Sequence, residues 1–206
     1  MSPFDIGFVI IVIIFSLVIH ELMHGVAADW LGDHTARYEG RLTLNPLKHM
    51  DLLGSVIVPI VSAFAGSFFG WAKPVPYNPY NFKKHLRWAE AIVSFAGPAS
   101  NLAIALVAGF TLRAGVSEAL FPLVFYVVAI NTSLFLLNML PFPPLDGSKV
   151  LSSVLPRALA HRYDAFRAVI EQNALIGFIL IFVFINVFSG VYGGLVITIA
   201  SFIAGV

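Results

Sequence analysis

The sequence predicts an all-α polytopic membrane protein, and three observations lead to that fold class. The 206-residue chain is 59% hydrophobic and only 11% charged, with a mean hydropathy of +0.89. A soluble domain of this length could not cover so much apolar surface. Apolar runs long enough to cross a bilayer recur along the chain, and no polar stretch between them is long enough to be a separate soluble domain. We therefore expect one integral membrane domain over residues 1–206.

The apolar runs predict about five transmembrane helices. Full spans are expected at residues 5–28, 89–112 and 119–140, because each is predominantly apolar over roughly 20 residues. The tail at 174–206 is short for two full crossings and predicts two short membrane helices. Basic and apolar residues alternate over 148–173, which predicts a helix lying at the membrane interface.

Two segments between the spans predict other structures. Residues 36–46 include ARYEGRLTL, which alternates loosely between polar and apolar residues and predicts a short β-ribbon. Residues 52–70 are apolar but are interrupted by glycines and a proline, which favours a re-entrant hairpin over a full crossing. Such irregular backbone is tolerated at membrane depth only where protein shields it. We therefore expect the hairpin to pack against the other helices.

The distribution of lysines and arginines indicates the orientation. If 52–70 crosses the membrane, the twelve basic residues divide eight to four between the two faces. If 52–70 returns, eleven lie on one face and only Arg113 lies on the other. The positive-inside rule favours the second arrangement, with the basic face and the C-terminus cytoplasmic. The net charge of +1 argues against a nucleic-acid partner, so the lipid bilayer is the expected surroundings.

The motif with the most specific chemistry is His20-Glu21-Leu22-Met23-His24, inside the first apolar run. Four residues are slightly more than one helical turn, so both imidazoles project from one face. This spacing suits two ligands of one Zn²⁺, with Glu21 as the general base for a metal-activated water. An ionisable group in a membrane helix costs roughly 2.5–3.5 kcal/mol at mid-depth, and a bound metal would explain three in one turn. The alternative is a chance match to the motif.

A zinc ion held by two histidines needs at least one more protein ligand. The chain has no cysteine, so the ligand must be a histidine or a carboxylate. Asp146 stands out because it follows the proline-rich segment 141–144, which cannot continue as a helix. Such a segment can turn a carboxylate back towards the bundle interior. The alternative for Asp146 alone is an ordinary helix N-cap.

Three motifs together resemble the site-2 protease family of intramembrane zinc metallopeptidases, peptidase family M50. They are HELMHG at 20–25, FAGPASN at 95–101 and NMLPFPPLDG at 138–147, in the family's order. Two loop phrases, at 40–51 and 70–82, are similar to those of a compact prokaryotic branch that lacks PDZ and CBS domains.

The resemblance implies a role for each candidate residue. It implies that His20, His24 and Asp146 ligate zinc and that Glu21 is the catalytic acid and base. It also implies that Asn101 lies near the catalytic water or the developing oxyanion. The catalytic core is expected over about 5–150, followed by C-terminal helices over 150–206.

The activity that the resemblance implies is hydrolysis of peptide bonds in or near transmembrane segments of membrane proteins. We expect the β-ribbon to pair with an unwound substrate segment. The site is expected to open towards the cytoplasmic face, because His24 lies only about 8 Å of helix from Asp29. Without PDZ or CBS domains, control is left to an unidentified regulator.

Three other interpretations compete with this one: a zinc transporter, another class of membrane zinc protease and an inactive scaffold. ZIP-type zinc transporters carry a similar run, but with a proline inside it and an acidic residue after it, where this chain has Leu22-Met23 and Gly25. A transport path also needs ligands across the whole membrane, and the candidates here lie near one face. Prenyl-protein zinc proteases take their third ligand from a glutamate on a later helix, and no later helix here carries a comparable motif. A catalytically inactive scaffold is disfavoured because Glu21 is present.

Overall fold

The computed structural model describes residues 2–50, 73–85 and 88–206, which fold into helices joined by loops. No β-strand occurs in these residues, so the all-α prediction is confirmed. Their α-helices, numbered along the chain, are α1 (Pro3–Leu31), α2 (Thr35–Tyr38), α3 (Ala89–Arg113), α4 (Phe121–Asn138), α5 (Asp146–Val154), α6 (Arg157–Glu171), α7 (Ala174–Val187) and α8 (Ser189–Ala204). The hairpin expected at 52–70 lies outside the described residues.

Three of the described helices, α1, α3 and α4, are long and apolar enough to cross a bilayer. Residues 179–187 of α7 and the whole of α8 pass the same test only together, as a pair bent by 77°, which makes a fourth span if the pair is counted as one. Only 17% of the most apolar 18-residue stretch of α1 is buried inside the protein. Apolar surface left exposed on this scale is suited to lipid. The chain is therefore a multi-pass membrane protein.

Helix α1 has a clear capping motif at each end. Ser2 and Asp5 form a reciprocal capping box, and Pro3 occupies the first turn, where its missing N–H is not needed. At the other end Gly32 adopts φ of +109°, a left-handed conformation that favours glycine and ends the helix. The helix therefore extends beyond the predicted 5–28 on both sides.

Helix α3 lies at the centre of the bundle and packs against α1, α4, α5 and α8. Near its first turn, Ala89 and Val93 form an apolar cluster with Ala28 and Leu31 of α1 and with Phe82. Near its last turn a second cluster joins it to α4 and α8, through Leu112, Val128, Ala200 and Ala204. The first cluster fixes the α1–α3 contact that carries the candidate site, and the second attaches the other end of α3 to α4 and α8.

The β-ribbon predicted at 36–46 is wrong. Residues 35–38 form one helical turn, and Gly40 follows at φ of +63°. Arg41 N–H then donates to the carbonyl of Ala36 at 2.9 Å, which closes the turn on itself. The side chain of Asn45 caps a 3₁₀ turn at Pro46–Lys48. Local capping and a left-handed glycine therefore outweigh the loose alternation of the sequence.

The interfacial helix predicted at 148–173 is divided into α5 and α6. Leu155 has extended backbone and Pro156 follows it, as expected because a proline disfavours helical conformation in the preceding residue. Arg167 of α6 is buried and forms ion pairs with Asp164 and Glu90, the latter at 3.4 Å on α3. The α6 helix is thus attached to the end of α3 that lies beside the candidate site.

The C-terminus lies at the same end of the bundle as the last turn of α3. The guanidinium of Arg113, at the end of α3, donates to the carbonyls of Phe202 and Ile203 near the end of α8. The count of basic residues predicts that Arg113 lies on the non-cytoplasmic face, and this contact would then place the C-terminus on that face as well. The cytoplasmic C-terminus stays a prediction that this contact does not favour.

A buried carboxylate anchors the loop of residues 73–85 to the end of α1. Asp33 is fully buried and accepts hydrogen bonds from the backbone N–H and hydroxyl of Thr35, at 3.2 and 2.6 Å. It also accepts from the N–H of Asn78 at 2.7 Å and the side-chain amide of Asn81 at 2.8 Å. Burial on its own raises the pKa of Asp33, but these hydrogen bonds outweigh burial and lower the pKa below its usual 3.8.

We expect Asp33→Ala to lower the free energy of unfolding by about 3 kcal/mol, because it leaves several buried donors without a partner. Since the native pKa is lowered, the stabilisation is full above 3.8 and is lost as the pH falls through the native pKa. Denaturant titrations of wild type and variant in detergent, repeated through the acid range, measure both effects. Glu39→Ala, at an exposed carboxylate, is the matched control. A difference that stays constant on acidification would contradict the argument.

Candidate metal centre

Helix α1 brings its two histidines to one point. His20 and His24 are buried, and their Nε2 atoms lie 3.1 Å apart. The rings meet edge to face, with centroids 4.7 Å apart. The i, i+4 spacing predicted from the sequence therefore gives two nitrogen atoms that face the same space.

Asp146 reaches the same point from 126 residues further along the chain than His20. It is the first residue of α5, and the preceding Leu145 has extended backbone. Its Oδ2 lies 3.1 Å from Nε2 of His20 and 3.3 Å from Nε2 of His24. The proline-rich segment thus turns the carboxylate back to α1. In the described part of the chain, these three residues form the group of imidazoles and carboxylates close enough to share a metal ion.

A chain of hydrogen bonds behind His20 fixes its tautomer. The side-chain amide of Asn131 donates to the carbonyl of Val127 at 3.0 Å, so its own oxygen faces Asn101 and accepts from Nδ2 of Asn101 at 3.0 Å. The same Nδ2 donates to the carbonyl of Ser16 at 3.3 Å. The oxygen of Asn101 is then left to accept from Nδ1–H of His20, at 2.6 Å. In the neutral ring, Nε2 of His20 therefore carries the lone pair.

His24 is fixed in the same way by backbone. Its Nδ1 lies 2.7 Å from the carbonyl oxygen of Val93, which can only accept, so Nδ1 carries the proton. In the neutral ring, its Nε2 likewise presents a lone pair to the shared space. Two neutral imidazoles and the carboxylate of Asp146 thus direct two nitrogen atoms and one oxygen atom at a single point, which is the donor arrangement of a metal site. Without a metal, the same separations allow hydrogen bonds and ion pairs between the imidazoles and the carboxylate.

The distances also fit a zinc ion. Ligands about 2.0–2.1 Å from a tetrahedral zinc lie about 3.3 Å from each other. The three separations here are 3.1, 3.1 and 3.3 Å. Two imidazoles and one carboxylate leave a fourth position for water or substrate, which is the donor set of a catalytic site.

Asn101 lies behind the centre, not in front of it. Its amide is fully buried and forms hydrogen bonds with His20, Asn131 and the Ser16 carbonyl. The resemblance implied that Asn101 lies near the catalytic water or the oxyanion. In the structure, its side-chain oxygen instead lies 2.6 Å from Nδ1 of His20, the ring nitrogen that faces away from the candidate metal centre. An outer partner of this kind fixes the orientation and tautomer of the ligand.

Glu21 is held beside the centre by the loop that follows residue 72. Its Oε2 accepts the backbone N–H of Val75 at 2.9 Å. That loop is held in turn by Arg41, whose guanidinium donates to the carbonyls of Lys73 and Pro74 at 2.8 and 3.3 Å. Glu21 therefore has a fixed orientation although it is only partly buried.

Gly97, on α3, is a residue of the site that sequence reasoning missed, because a glycine among small residues of a membrane helix is typical of ordinary helix packing. A Cβ atom at this position would lie 2.4 Å from Nε2 of His24 and 2.7 Å from Nε2 of His20. Any side chain would therefore occupy the space on which the candidate ligands converge. The position of Gly97 within FAGPASN is the signal that could have revealed it.

The three candidate ligands and Glu21 open into a cavity of about 310 Å³. Its wall includes several residues that the sequence analysis did not assign to the site: Pro74, Val75, Tyr77, Val93, Ser94, Pro144, Lys149 and Glu171. Asn138, at the end of α4, also lines it. The residues come from α1, α3, α4, α5, α6 and the loop of residues 73–85, so only the folded bundle assembles them.

Comparisons with known proteins agree with this architecture. YwhC of Bacillus subtilis strain 168, provisionally named a zinc metalloprotease, is 37% identical over 186 residues, which cover 85% of this chain and 78% of YwhC. Rip2 of Mycolicibacterium smegmatis, with the same provisional name, is 36% identical over 169 residues, or 75% of this chain. Rip2 of Mycobacterium tuberculosis strain Erdman is 32% identical over 152 residues, or 70% of this chain.

The aligned residues cover only 62% and 58% of the two Rip2 proteins. No solved structure matches the chain. The model of peptidase family M50 matches residues 8–118 and 113–184, which is most of the chain. The resemblance to the site-2 proteases is thereby confirmed, and the chain belongs to peptidase family M50.

Proposed function

We propose that this chain is a zinc-dependent endopeptidase that cleaves peptide bonds in or near transmembrane segments of membrane proteins. The observation that carries the proposal is the convergence of three acceptor atoms, with Glu21 beside them, at a membrane-spanning helix. The provisional names of YwhC and Rip2 support zinc as the metal. No feature of the described residues extends the metal-binding group into a path across the membrane, which a transporter needs.

His20, His24 and Asp146 are the residues that would hold the zinc ion. When bound, the ion supplies Lewis-acid polarisation of the scissile carbonyl and lowers the pKa of a water molecule towards neutrality. Asn101 and the Val93 carbonyl keep both imidazoles in the tautomer that presents Nε2. We assign Asn101 a positioning role on this ground.

Glu21 is the proposed general acid and base. Its carboxylate accepts the proton of the attacking water as the water oxygen bonds to the carbonyl carbon, and it returns that proton to the leaving nitrogen when the C–N bond breaks. The N–H of Val75 keeps the carboxylate oriented towards the cavity. The same backbone segment lies where a substrate strand has to enter, since Pro74 and Tyr77 also line the cavity.

The substrate has to unwind before this chemistry can occur. In an intact transmembrane helix the peptide bonds are hydrogen-bonded internally, and side chains shield them. A cavity of about 310 Å³ accommodates a few residues of extended chain but not a helix, whose diameter with side chains is about 10–12 Å. We therefore expect cleavage next to helix-breaking residues of a single-span substrate within the lipid bilayer.

The orientation and domain organisation complete the proposal. The residues of 1–206 act as one membrane domain, with the metal centre near the cytoplasmic face because the basic residues lie at that end. The count of five crossings treats α7 and α8 as separate spans. The contact of Arg113 with the end of α8 instead supports one broken span, which gives four crossings among the described helices.

Metal removal tests the proposal directly. Purified chain is expected to hold stoichiometric zinc and to cleave a synthetic single-span peptide whose apolar segment is interrupted by Gly-Pro. Chelation should abolish cleavage, and added zinc should restore it, with zinc content and product measured on the same samples. Cleavage that survives complete zinc removal would overturn the proposal. Zinc flux into liposomes without any cleavage would favour the transporter.

A further inference from the structure

The proposed reaction needs a group that no residue assigned so far supplies. When water adds to the scissile carbonyl, negative charge collects on the carbonyl oxygen, and donors placed near that oxygen contribute strongly to the rate. The resemblance suggested Asn101 for this role. The amide nitrogen of Asn101 is already engaged with Ser16 and Asn131, and its oxygen faces His20. Asn101 is therefore not free to face the oxyanion, and another side-chain donor would add to the polarisation that a bound zinc ion supplies.

Lys149 lies in the right place for this role. It is three residues after Asp146 on α5, so the two side chains share one face of the helix. It lines the same cavity as His20, Glu21 and His24. Its Nζ lies 5.3 Å from the ring centroid of Tyr77, which is on the loop that crosses the cavity. The aromatic face holds the ammonium by a cation–π contact and limits its rotamers.

Lys149 also carries the right charge. It is the only lysine or arginine among the described residues that line the cavity. Burial works against its charged form, but the influence of Tyr77 and Asp146 outweighs burial and raises the pKa of Lys149. A lysine side chain is ordinarily an ammonium at neutral pH. An ammonium in a cavity of low dielectric interacts more strongly with developing charge than it would in water.

Two neutral side chains in the cavity are weaker alternatives. The amide nitrogen of Asn138 donates to the carbonyl of Leu134 in its own helix, at 3.0 Å. The hydroxyl of Ser94 is buried without a described hydrogen bond, but it carries no charge. Glu171 also lines the cavity, but it is an acid and would repel an oxyanion.

We propose that Lys149 is a further catalytic residue, whose ammonium donates a hydrogen bond to the oxyanion of the tetrahedral adduct. The inference rests on the proposed peptidase function. As the water oxygen bonds to the carbonyl carbon, the C=O π electrons move onto the carbonyl oxygen, which Lys149 stabilises. When the C–N bond breaks, those electrons re-form the carbonyl, and Lys149 keeps its own protons throughout. Glu21 alone transfers the proton to the leaving nitrogen.

Lys149→Met tests the inference on the full zinc-loaded chain, with the Gly-Pro single-span peptide as substrate. We expect kcat to fall by about 10²–10³-fold, as for loss of one oxyanion donor, while KM and zinc affinity stay unchanged. A phosphinic analogue of the peptide, which mimics the tetrahedral adduct, should lose a similar factor in affinity. Lys149→Arg should restore much of kcat. Lys48→Met, at an exposed lysine, is the matched control.

The outcomes separate the inference from the function on which it rests. If wild type cleaves the peptide and Lys149→Met retains its kcat, the inference is wrong and the proposed function stands. The inference is also wrong if the variant changes only KM, or if zinc affinity falls together with kcat. A loss of kcat in Asn138→Leu with normal turnover in Lys149→Met would assign the oxyanion to Asn138. Failure of wild type itself to cleave would remove the proposed function as well.

Discussion

Glu21→Gln is expected to retain zinc and to lose cleavage by about 10²–10⁴-fold, the usual contribution of a general acid and base. Glu21 is not one of the three converging donors, so the metal site stays intact. The amide oxygen of glutamine can still accept the N–H of Val75, which keeps the loop in place. The amide cannot take up a proton at neutral pH, and the attacking water is therefore no longer activated.

The measurement is zinc content and cleavage rate on the same purified sample. Glu39→Gln, which makes the same change at an exposed glutamate, should behave as wild type in both. A Glu21→Gln protein that cleaves at the wild-type rate would refute the assigned mechanism. A Glu21→Gln protein that loses its zinc would make Glu21 a ligand instead of a base.

Asp146→Ala is expected to reduce zinc affinity by more than the roughly 10–100-fold that loss of an outer partner costs. It removes one of three donors and leaves only the two imidazoles of α1. The rise in melting temperature on adding zinc should disappear, since a ligand stabilises a protein only to the extent that it binds the folded state.

Asn101→Ala provides the graded comparison. It leaves all three donors in place and frees the His20 ring, so the loss of zinc affinity should lie within the range for an outer partner, about 10–100-fold. Competition with a chelating dye gives the affinity of each variant, and Glu39→Ala is the control. If Asp146→Ala binds zinc as tightly as wild type, Asp146 is not a ligand. If the two variants lose equal affinity, the distinction between ligand and outer partner fails.

Local patterns in the sequence predicted much of the fold. The spans expected at 89–112 and 119–140 correspond to α3 at Ala89–Arg113 and α4 at Phe121–Asn138. These predictions succeed because the periodicity of a helix and the length of an apolar run are both properties of residues that are neighbours in the sequence. The β-ribbon failed because capping by Asn45 and the left-handed Gly40 are also local, and they oppose the alternation.

Long-range features were harder to predict. Whether Leu155-Pro156 only bends an interfacial helix or divides it depends on what each half packs against, and here Arg167 attaches the second half to Glu90 of α3. The end of the bundle at which the C-terminus lies depends on the bend at Phe188 and on the contact with Arg113. Neither the division of the interfacial helix nor the position of the C-terminus can be predicted from composition. The alternative arrangements of each place the same apolar residues in lipid.

The sequence by itself determined the membrane class, the family and the two histidines with their glutamate, because residues four apart on a helix must share a face. Only the tertiary structure decided which side of the site each remaining group occupies. It placed Asn101 behind His20 and Gly97 against both imidazoles, and it put Lys149 inside the cavity. The physical reason is sequence distance: Asp146 lies 126 residues from His20, and only the packing of α3 against its neighbours brings the two within 3.1 Å.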